Sequence, residues 1–316
     1  MWEAAAALLV LLLLGRLRRV PLLEPAGRAV LITGCDSGFG HLLALRLHRL
    51  GFTVFAGCLC PDGEGAQRLQ RETASDASRL RVLQLDVTRQ GDVAAAKEFV
   101  QRNLPETGFW GLVNNAGIST YGETGWLPME KYEKLVDVNL LGSIRTTLAF
   151  LPLLRKYKGR MVFMSSINAY FTLENGIYSM TKAAIEKFCD SLRLEMKKFG
   201  VLVCIIQPGN YARSTNIQPP INAEEIWSQL SEEAKAVYNK EYVQERADFV
   251  NKNLNEGSTA GHEVVDAIVD ALISPAPKAR YMVAKLKEKL LVFMCTAFPT
   301  IVMDSVLSTV LSKVKL

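Results

Sequence analysis

The sequence has few of the residues that build metal centres or disulfide frameworks. Its 316 residues include three histidines and six cysteines. The cysteines are scattered, and the one close pair, Cys58 and Cys60, has a spacing too short for the usual zinc or redox motif. Several cysteines fall in apolar stretches, which favours reduced thiols in a reducing compartment. We therefore expect no metal site.

The sequence also lacks the patterns of a nucleic-acid-binding or repeat protein. The formal net charge is +5, and no run of lysine and arginine is interleaved with aromatic residues, so no nucleic-acid partner is expected. No internal repeat or low-complexity linker interrupts the chain. With 49% hydrophobic residues, a chain of this length can bury the core of one large α/β domain.

The N-terminal hydrophobic run is shorter than the roughly 20 residues that a membrane-spanning helix needs. Residues 4–14 contain only Ala, Leu and Val, with Glu3 before them and three arginines within residues 16–19. We interpret residues 1–20 as a hydrophobic membrane anchor, because the apolar run favours a lipid environment. The arginines that follow it are expected to keep the following domain in the cytosol. This predicts location at the endoplasmic reticulum membrane. A mitochondrial presequence is the alternative, which suits the arginines but not Glu3.

Short β-rich runs alternate with helical patterns along the chain. The runs end in glycine or in small or polar residues, and they are residues 29–33, 53–57, 80–85, 111–113, 161–164 and 201–206. Such alternation is typical of an α/β protein with a doubly wound parallel sheet. In these sheets, ligand-binding residues lie beyond the carboxyl ends of the strands.

The first of these runs leads directly into a glycine-rich turn. Gly34, Gly38 and Gly40 have the spacing Gly-x-x-x-Gly-x-Gly, and a helical pattern follows over residues 41–50. Glycines in such a turn let the backbone approach a pyrophosphate, which the free N–H groups of the helix N-terminus can bind. The alternative is a tight strand-to-helix turn without a ligand.

Tyr178 and Lys182 lie four residues apart, which places a phenol and an ammonium on the same face of a helix. A nearby cation favours the charged form of a phenol, so Lys182 is expected to lower the pKa of Tyr178. A phenol of this kind can act as a general acid or base on an alcohol or ketone. The alternative is an ordinary amphipathic helix.

Four motifs together resemble those of the short-chain dehydrogenase/reductase family, over about residues 27–285. They are the glycine-rich turn that starts at Thr33-Gly34, Asn114-Asn115-Ala116-Gly117, a serine before Tyr178 and Lys182, and Pro208-Gly209. The amino-acid sequences of the first two motifs resemble those of one branch of the family. This branch contains retinol dehydrogenases, hydroxysteroid (11-beta/17-beta) dehydrogenases and mitochondrial 3-hydroxybutyrate dehydrogenase. The resemblance implies a single domain with a Rossmann-type sheet.

The resemblance also implies catalytic roles. Tyr178 would exchange a proton with the substrate oxygen, Lys182 would bind the nicotinamide ribose, and Ser166, twelve residues before Tyr178, would hydrogen-bond the substrate oxygen. Asn139 would hold a water molecule in a proton relay. The alternative for Asn139 is a buried polar residue that satisfies backbone groups.

A nicotinamide dinucleotide is the cofactor that the family implies. The residues expected to bind it are Gly34, Ser37, Gly38, Phe39, Gly40, Asp62, Asp86, Asn115, Ala116, Gly117, Tyr178, Lys182, Pro208 and Gly209. NAD is favoured over NADP because no basic residue lies in the glycine-rich turn or in residues 57–62, where a 2′-phosphate would need one. Asp62 is the nearest acid for the ribose hydroxyls.

The substrate is expected to be a lipophilic small molecule, a steroid or retinoid alcohol in kind. A helical lid at about residues 210–262 is rich in apolar residues, and the tail at residues 286–316 could bind a membrane or pack in a homo-oligomer. The alternative substrate is 3-hydroxybutyrate, whose carboxylate needs a cation to bind it. Residues 167–177 contain no His, Lys or Arg, so Arg213 is the residue that could supply this cation. A non-catalytic, dinucleotide-binding membrane or lipid-droplet protein is an alternative from another class.

Overall fold

A seven-stranded parallel sheet forms the centre of the computed structural model, which describes residues 22–173 and 175–311. The strand order is β3-β2-β1-β4-β5-β6-β7. The strands are β1 Ala29–Thr33, β2 Thr53–Cys58, β3 Leu80–Gln84, β4 Phe109–Asn114, β5 Arg160–Met164, β6 Leu202–Pro208 and β7 Arg280–Val283. The prediction of a Rossmann-type doubly wound sheet is confirmed. The predicted anchor at residues 1–20 lies outside the described residues.

The burial of the strands explains why they appear as apolar runs in the sequence. Every residue of β1, β2 and β5 is buried, as expected for a parallel sheet covered on both faces. The chain turns back at β1, since β2 and β3 lie on one side and β4 on the other. This reversal is the switch point beside which doubly wound sheets bind ligands. The short edge strand β7 was not among the predicted strands.

Helices cover both faces of the sheet. They are α1 Gly38–Arg49, α2 Glu64–Glu72, α3 Gln90–Arg102, α4 Met129–Val136, α5 Ser143–Tyr157, α6 Gly176–Lys197, α7 Ala223–Gln229, α8 Glu232–Val237, α9 Lys240–Asn255, α10 Gly261–Ile273, α11 Leu286–Ala297 and α12 Thr300–Leu311. On one face, Leu43 of α1 and Ile268 of α10 belong to one buried core. On the other, Val93 of α3, Phe150 of α5 and Ile185 of α6 belong to a second core.

Three helices, α7 to α9, fall within the predicted lid at residues 210–262. Side-chain caps start each of them: Asn222, Ser231 and Asn239 accept hydrogen bonds from backbone N–H groups of the first turn. These helices pack around a small separate core that contains Trp126 and Val243. A local core of this kind lets the lid hold its shape without joining the sheet.

The C-terminal helices α11 and α12 leave apolar side chains exposed. These are Leu286, Leu290, Phe293, Ile301, Val302 and Val306, together with Phe298 between the two helices. Within the part of the chain that the structure describes, no helix is both long and apolar enough to span a bilayer. The boundaries proposed for anchor, catalytic domain and tail stay predictions.

Candidate active site

A cavity of about 1210 Å³ opens at the carboxyl ends of the strands. This volume exceeds the roughly 300–1,000 Å³ typical of a pocket for one ligand, so the cavity has room for a dinucleotide and a substrate. The predicted site residues that line it are Gly34, Ser37, Gly38, Phe39, Asp86, Asn115, Ala116, Gly117, Ser166, Tyr178, Lys182, Pro208 and Gly209. Gly40, Asp62 and Asn139 are not among its lining residues.

The glycine-rich turn packs closely against the backbone that follows β4. Gly34 has a φ of 71°, and a Cβ atom there would lie 2.9 Å from the Cα atom of Ala116. A side chain at this position would therefore clash with the backbone that follows β4. Ser37 and Gly38 face the cavity at the N-terminus of α1, where backbone N–H groups lack helical partners. Gly40 packs against the carbonyl of Gly34 instead.

The motif after β4 supports this turn through hydrogen bonds. The side-chain amide of Asn115 donates to the carbonyls of Thr33 at 2.8 Å and Gly34 at 3.0 Å. In return, the hydroxyl of Thr33 accepts hydrogen bonds from the backbone N–H groups of Asn115 at 3.0 Å and Ala116 at 2.9 Å. These bonds tie the ends of β1 and β4 together. Thr33 belongs to the glycine-rich motif, but the sequence alone indicated no role for it in the site.

Ser166, Tyr178 and Lys182 meet at one wall of the cavity. Ser166 follows β5, and its hydroxyl accepts a hydrogen bond from the N–H of Asn168 at 3.2 Å. Tyr178 lies in the first turn of α6 and shares a side-chain hydrogen bond with Ser166. Lys182 lies one turn later, with its ammonium 5.4 Å from the centre of the Tyr178 ring and 2.8 Å from the carbonyl of Met164. With this pairing, the phenol can exchange a proton with an oxygen atom of a substrate. The hydroxyl can stabilise charge on the same oxygen atom.

Burial controls the electrostatics of this wall. Desolvation raises the pKa of Tyr178 above its ordinary value, and the hydrogen bond with Ser166 opposes that rise. Desolvation also lowers the pKa of Lys182 to about 8. The direction for Tyr178 is opposite to the one predicted from its spacing to Lys182, because removing the phenol from water outweighs the influence of its neighbours.

Asn139 lies in a π-helical turn, Asp137–Gly142, between α4 and α5. Its side-chain oxygen accepts from the N–H of Ile118 at 2.9 Å, and its amide donates to the carbonyl of Ile118 at 2.9 Å and the hydroxyl of Thr181 at 3.1 Å. These contacts agree with the interpretation of Asn139 as a buried residue that satisfies backbone groups. Through Thr181 it also contacts the helix that carries Tyr178. Its role in a proton relay stays a prediction.

Asp62 and Asp86, the two acids expected to bind the cofactor, differ in whether they line the cavity. Asp62 is exposed and does not line the cavity, so a contact with the ribose is not supported. Asp86 lines the cavity, where its carboxylate accepts from the N–H and hydroxyl of Thr88 at 2.9 Å and 2.7 Å. Asp36 also lines the cavity, although sequence reasoning did not assign it a role.

Many apolar side chains also line the cavity. They include Ile118, Tyr121, Phe171, Leu173, Ile217, Phe249, Val250, Leu254 and Leu291. Among the lid aromatics, Phe249 faces the cavity, whereas Tyr238 and Tyr242 pack against Trp126 with ring centres 5.5 Å and 6.1 Å away. Arg213 is exposed and is not a lining residue. Arg213, which was expected to bind the carboxylate of 3-hydroxybutyrate, is therefore not part of the cavity wall.

The C-terminal helix α11 forms part of the site through Glu288. Its carboxylate accepts hydrogen bonds from the N–H of Asn210 at 2.9 Å and of Lys285 at 2.7 Å. Lys285, Lys287, Glu288 and Leu291 all line the cavity. Sequence reasoning missed Glu288. The available signal was its position as the third residue of a helix, three residues after the N-cap Lys285, where an acid can accept from the N-cap N–H.

A buried polar network holds the loop after Ser166 against α6. The side-chain amide of Gln207 donates to the hydroxyl of Tyr170 at 2.6 Å and to the carboxylate of Glu186 at 2.7 Å. Arg280 of β7 donates to the same carboxylate at 3.1 Å. Glu186 lies one helical turn beyond Lys182, so the network fixes the helix that presents the candidate catalytic pair.

Comparison with known proteins identifies the family. A model of the short chain dehydrogenase family matches residues 28–226. The chain therefore belongs to the short-chain dehydrogenases, which are oxidoreductases that use a nicotinamide dinucleotide. The recognition made from the four sequence motifs is confirmed.

Individual proteins resemble the chain over most of its length. The mitochondrial D-beta-hydroxybutyrate dehydrogenase of Rattus norvegicus is 42% identical over 289 residues, which cover 89% of this chain and 84% of that protein. Retinol dehydrogenase 7 of Mus musculus is 39% identical over 280 residues, covering 88% and 87%. A solved short-chain dehydrogenase from Streptomyces avermitilis has a TM-score of 0.70 at 21% identity and covers 92% of this chain and all of that one. The last comparison concerns the fold alone.

Proposed function

We propose that the protein is an NAD-dependent dehydrogenase that interconverts a lipophilic alcohol, of steroid or retinoid type, and its ketone or aldehyde. The observation that carries this proposal is the position of Ser166, Tyr178 and Lys182. They line the same cavity as the glycine-rich turn and the apolar side chains of α9. A substrate carbinol held between these parts is within reach of both a cofactor and a proton-exchanging phenol.

Each residue of the wall has a distinct task in this proposal. A nicotinamide dinucleotide would supply the hydride acceptor or donor, and the residues that would hold it are those of the glycine-rich turn, Asn115 to Gly117 and Lys182. The phenol of Tyr178 takes the proton from the alcohol oxygen or gives it to the carbonyl oxygen. The hydroxyl of Ser166 donates a hydrogen bond to that oxygen. The ammonium of Lys182, which donates to the carbonyl of Met164, would also donate a hydrogen bond to the ribose of the dinucleotide.

The apolar lining supports a lipophilic substrate. Phe249, Val250 and Leu254 of α9 line the cavity together with Phe171 and Leu173, and such surfaces bind by removing apolar area from water. The retinol dehydrogenase among the relatives is consistent with this choice.

The second candidate substrate is (R)-3-hydroxybutyrate. The 42% identity to the rat hydroxybutyrate dehydrogenase favours it. Asn168 and Asn175 line the cavity between Ser166 and Tyr178, and Lys285 and Lys287 line it from α11. Amides and ammonium groups can together bind a small carboxylate.

A substrate panel separates these functions. The purified full-length chain is incubated with NAD and, in separate reactions, retinol, hydroxysteroids and (R)-3-hydroxybutyrate, while NADH formation is followed. Turnover of a retinoid or steroid supports the first proposal, and turnover of hydroxybutyrate alone replaces it with the second. Dinucleotide binding without turnover of any substrate supports a non-catalytic, dinucleotide-binding membrane or lipid-droplet protein.

We further propose that the protein works at a membrane, with residues 1–20 as anchor and a cytosolic catalytic domain at the endoplasmic reticulum. The exposed apolar side chains of α11 and α12 support contact with a lipid surface. Deleting residues 1–20 should release activity from the membrane fraction, and protease should digest the domain in intact microsomes. Import into mitochondria with loss of the N-terminal residues would support the alternative location.

A further inference from the structure

The carboxylate of Asp36 is fixed at the end of a strand to which it does not belong. Asp36 lies in the glycine-rich turn after β1. Its two side-chain oxygens accept hydrogen bonds from the backbone N–H groups of Leu59 at 2.9 Å and Cys60 at 3.0 Å. These two residues directly follow β2, which pairs with β1 in parallel. The carboxylate therefore bridges the carboxyl ends of two neighbouring strands.

This position matters because it is where dinucleotide-binding sheets distinguish their cofactors. In the ordinary fingerprint, an acid near the end of the second strand binds the ribose hydroxyls of NAD, and a nearby arginine accommodates the 2′-phosphate of NADP. Here β2 ends at Cys58, and the two residues after it are not acidic. The structure places an acid at that point from a different part of the sequence.

Among the described residues that line the cavity, the basic ones belong to segments other than those that hold Asp36. Asp36 and Leu59 both line the cavity, and Asp86 lines it from the end of β3. The lysines that line the described cavity belong to α4, α6 and the start of α11. Within the described lining, neither the glycine-rich turn nor the connection from β2 to α2 contributes a lysine or arginine.

Two consecutive backbone N–H groups that point at one spot form a site for an anion. In this protein the anion is internal, because the Asp36 carboxylate already occupies it. A 2′-phosphate brought to the end of β2 would meet a carboxylate instead of free N–H groups, whereas a ribose hydroxyl can donate a hydrogen bond to the same carboxylate.

We propose that Asp36 is the residue that makes the site select NAD over NADP, by occupying the anion position offered by Leu59 and Cys60 and by accepting a hydrogen bond from the adenosine ribose. This inference rests on the proposed dinucleotide-dependent function, and it transfers to Asp36 the role first expected of Asp62.

Direct binding tests the inference without knowledge of the substrate. NADH and NADPH are titrated separately into the full-length protein, and each Kd is taken from cofactor fluorescence. The wild type should bind NADH at least about tenfold more tightly than NADPH. Asp36→Asn should narrow that ratio because the charge is removed. Asp36→Ala should narrow it further, because it also frees the N–H groups of Leu59 and Cys60 for a phosphate.

The matched control is Asp62→Asn, which removes an exposed acid from the same connection and should leave the ratio unchanged. Circular dichroism melts confirm that each variant is folded. An unchanged ratio in both folded Asp36 variants, or equal binding of the two cofactors by the wild type, overturns the role of Asp36 and leaves the proposed function standing. Failure of the wild type to bind either cofactor removes both proposals.

Discussion

The two halves of the cavity are built in different ways. The cofactor half is formed by short turns directly after β1 and β4, whose backbone groups are joined by Thr33 and Asn115. The half proposed to bind the substrate is lined by side chains of α9 and α11. These helices lie far apart in sequence, and α11 is held to the rest of the site by Glu288. Under the proposed function, the chemistry depends on turns at the ends of the strands, whereas substrate choice depends on helices that pack onto the sheet.

The largest effect is expected from a substitution that abolishes proton exchange and leaves both halves of the cavity in place. Tyr178→Phe deletes the proton-exchanging hydroxyl and should lower kcat by at least about 100-fold, the usual contribution of a positioned general acid or base. The Kd of NADH should stay within about twofold of the wild-type value. Steady-state kinetics with the best substrate of the panel, together with NADH fluorescence titration, measure the two effects. Near-normal turnover would show that another group exchanges the proton.

Phe249→Ala should affect the substrate half alone. Loss of an aromatic ring from a hydrophobic pocket should raise KM for a lipophilic alcohol by about 10- to 100-fold, with the Kd of NADH unchanged. The exposed Leu194 on the outer surface of α6 provides a control, since Leu194→Ala should change neither value. A loss of NADH affinity in Phe249→Ala that equals the loss of substrate affinity would contradict the division into two halves.

Glu288 tests whether α11 belongs to the substrate half. Glu288→Ala removes both hydrogen bonds to Asn210 and Lys285, so α11 should become less firmly held and KM for a lipophilic substrate should rise by about fivefold. Trypsin should then cleave faster after Lys287 or Lys289. Glu288→Gln keeps one acceptor oxygen and should show an intermediate effect. If both variants behave like wild type in KM and proteolysis, the carboxylate does not position the helix.

The smallest expected effect concerns pH and the cofactor half. Burial lowers the pKa of Lys182 to about 8, so raising the pH from about 7 to about 9 converts its ammonium into a neutral amine. NADH should bind about two- to threefold more weakly at the higher pH, because the amine is a poorer hydrogen-bond donor to the ribose. Lys182→Met should bind NADH weakly at both pH values. A pH profile that is the same in wild type and variant would assign the titration to another group.

Sequence patterns predicted the framework well because the relevant interactions are local. Each of the six predicted β-rich runs coincides with a strand, since a parallel sheet covered on both faces requires a nearly continuous apolar run. β7 escaped prediction because four residues at an edge carry little pattern. The lid helices were predicted as one helical stretch, and their separate starts follow from the caps Asn222, Ser231 and Asn239.

The sequence alone determined the fold, the glycine-rich turn and the alignment of Tyr178 with Lys182, because backbone freedom at glycine and the helical repeat depend on a few adjacent residues. Only the tertiary structure decided which acid lies at the end of β2, which helix closes the cavity, and whether the pKa of Tyr178 rises or falls. Those outcomes depend on segments far apart in sequence, such as Asp36 with Leu59 and Asn210 with Glu288. They depend equally on desolvation, which exists only once the chain has packed.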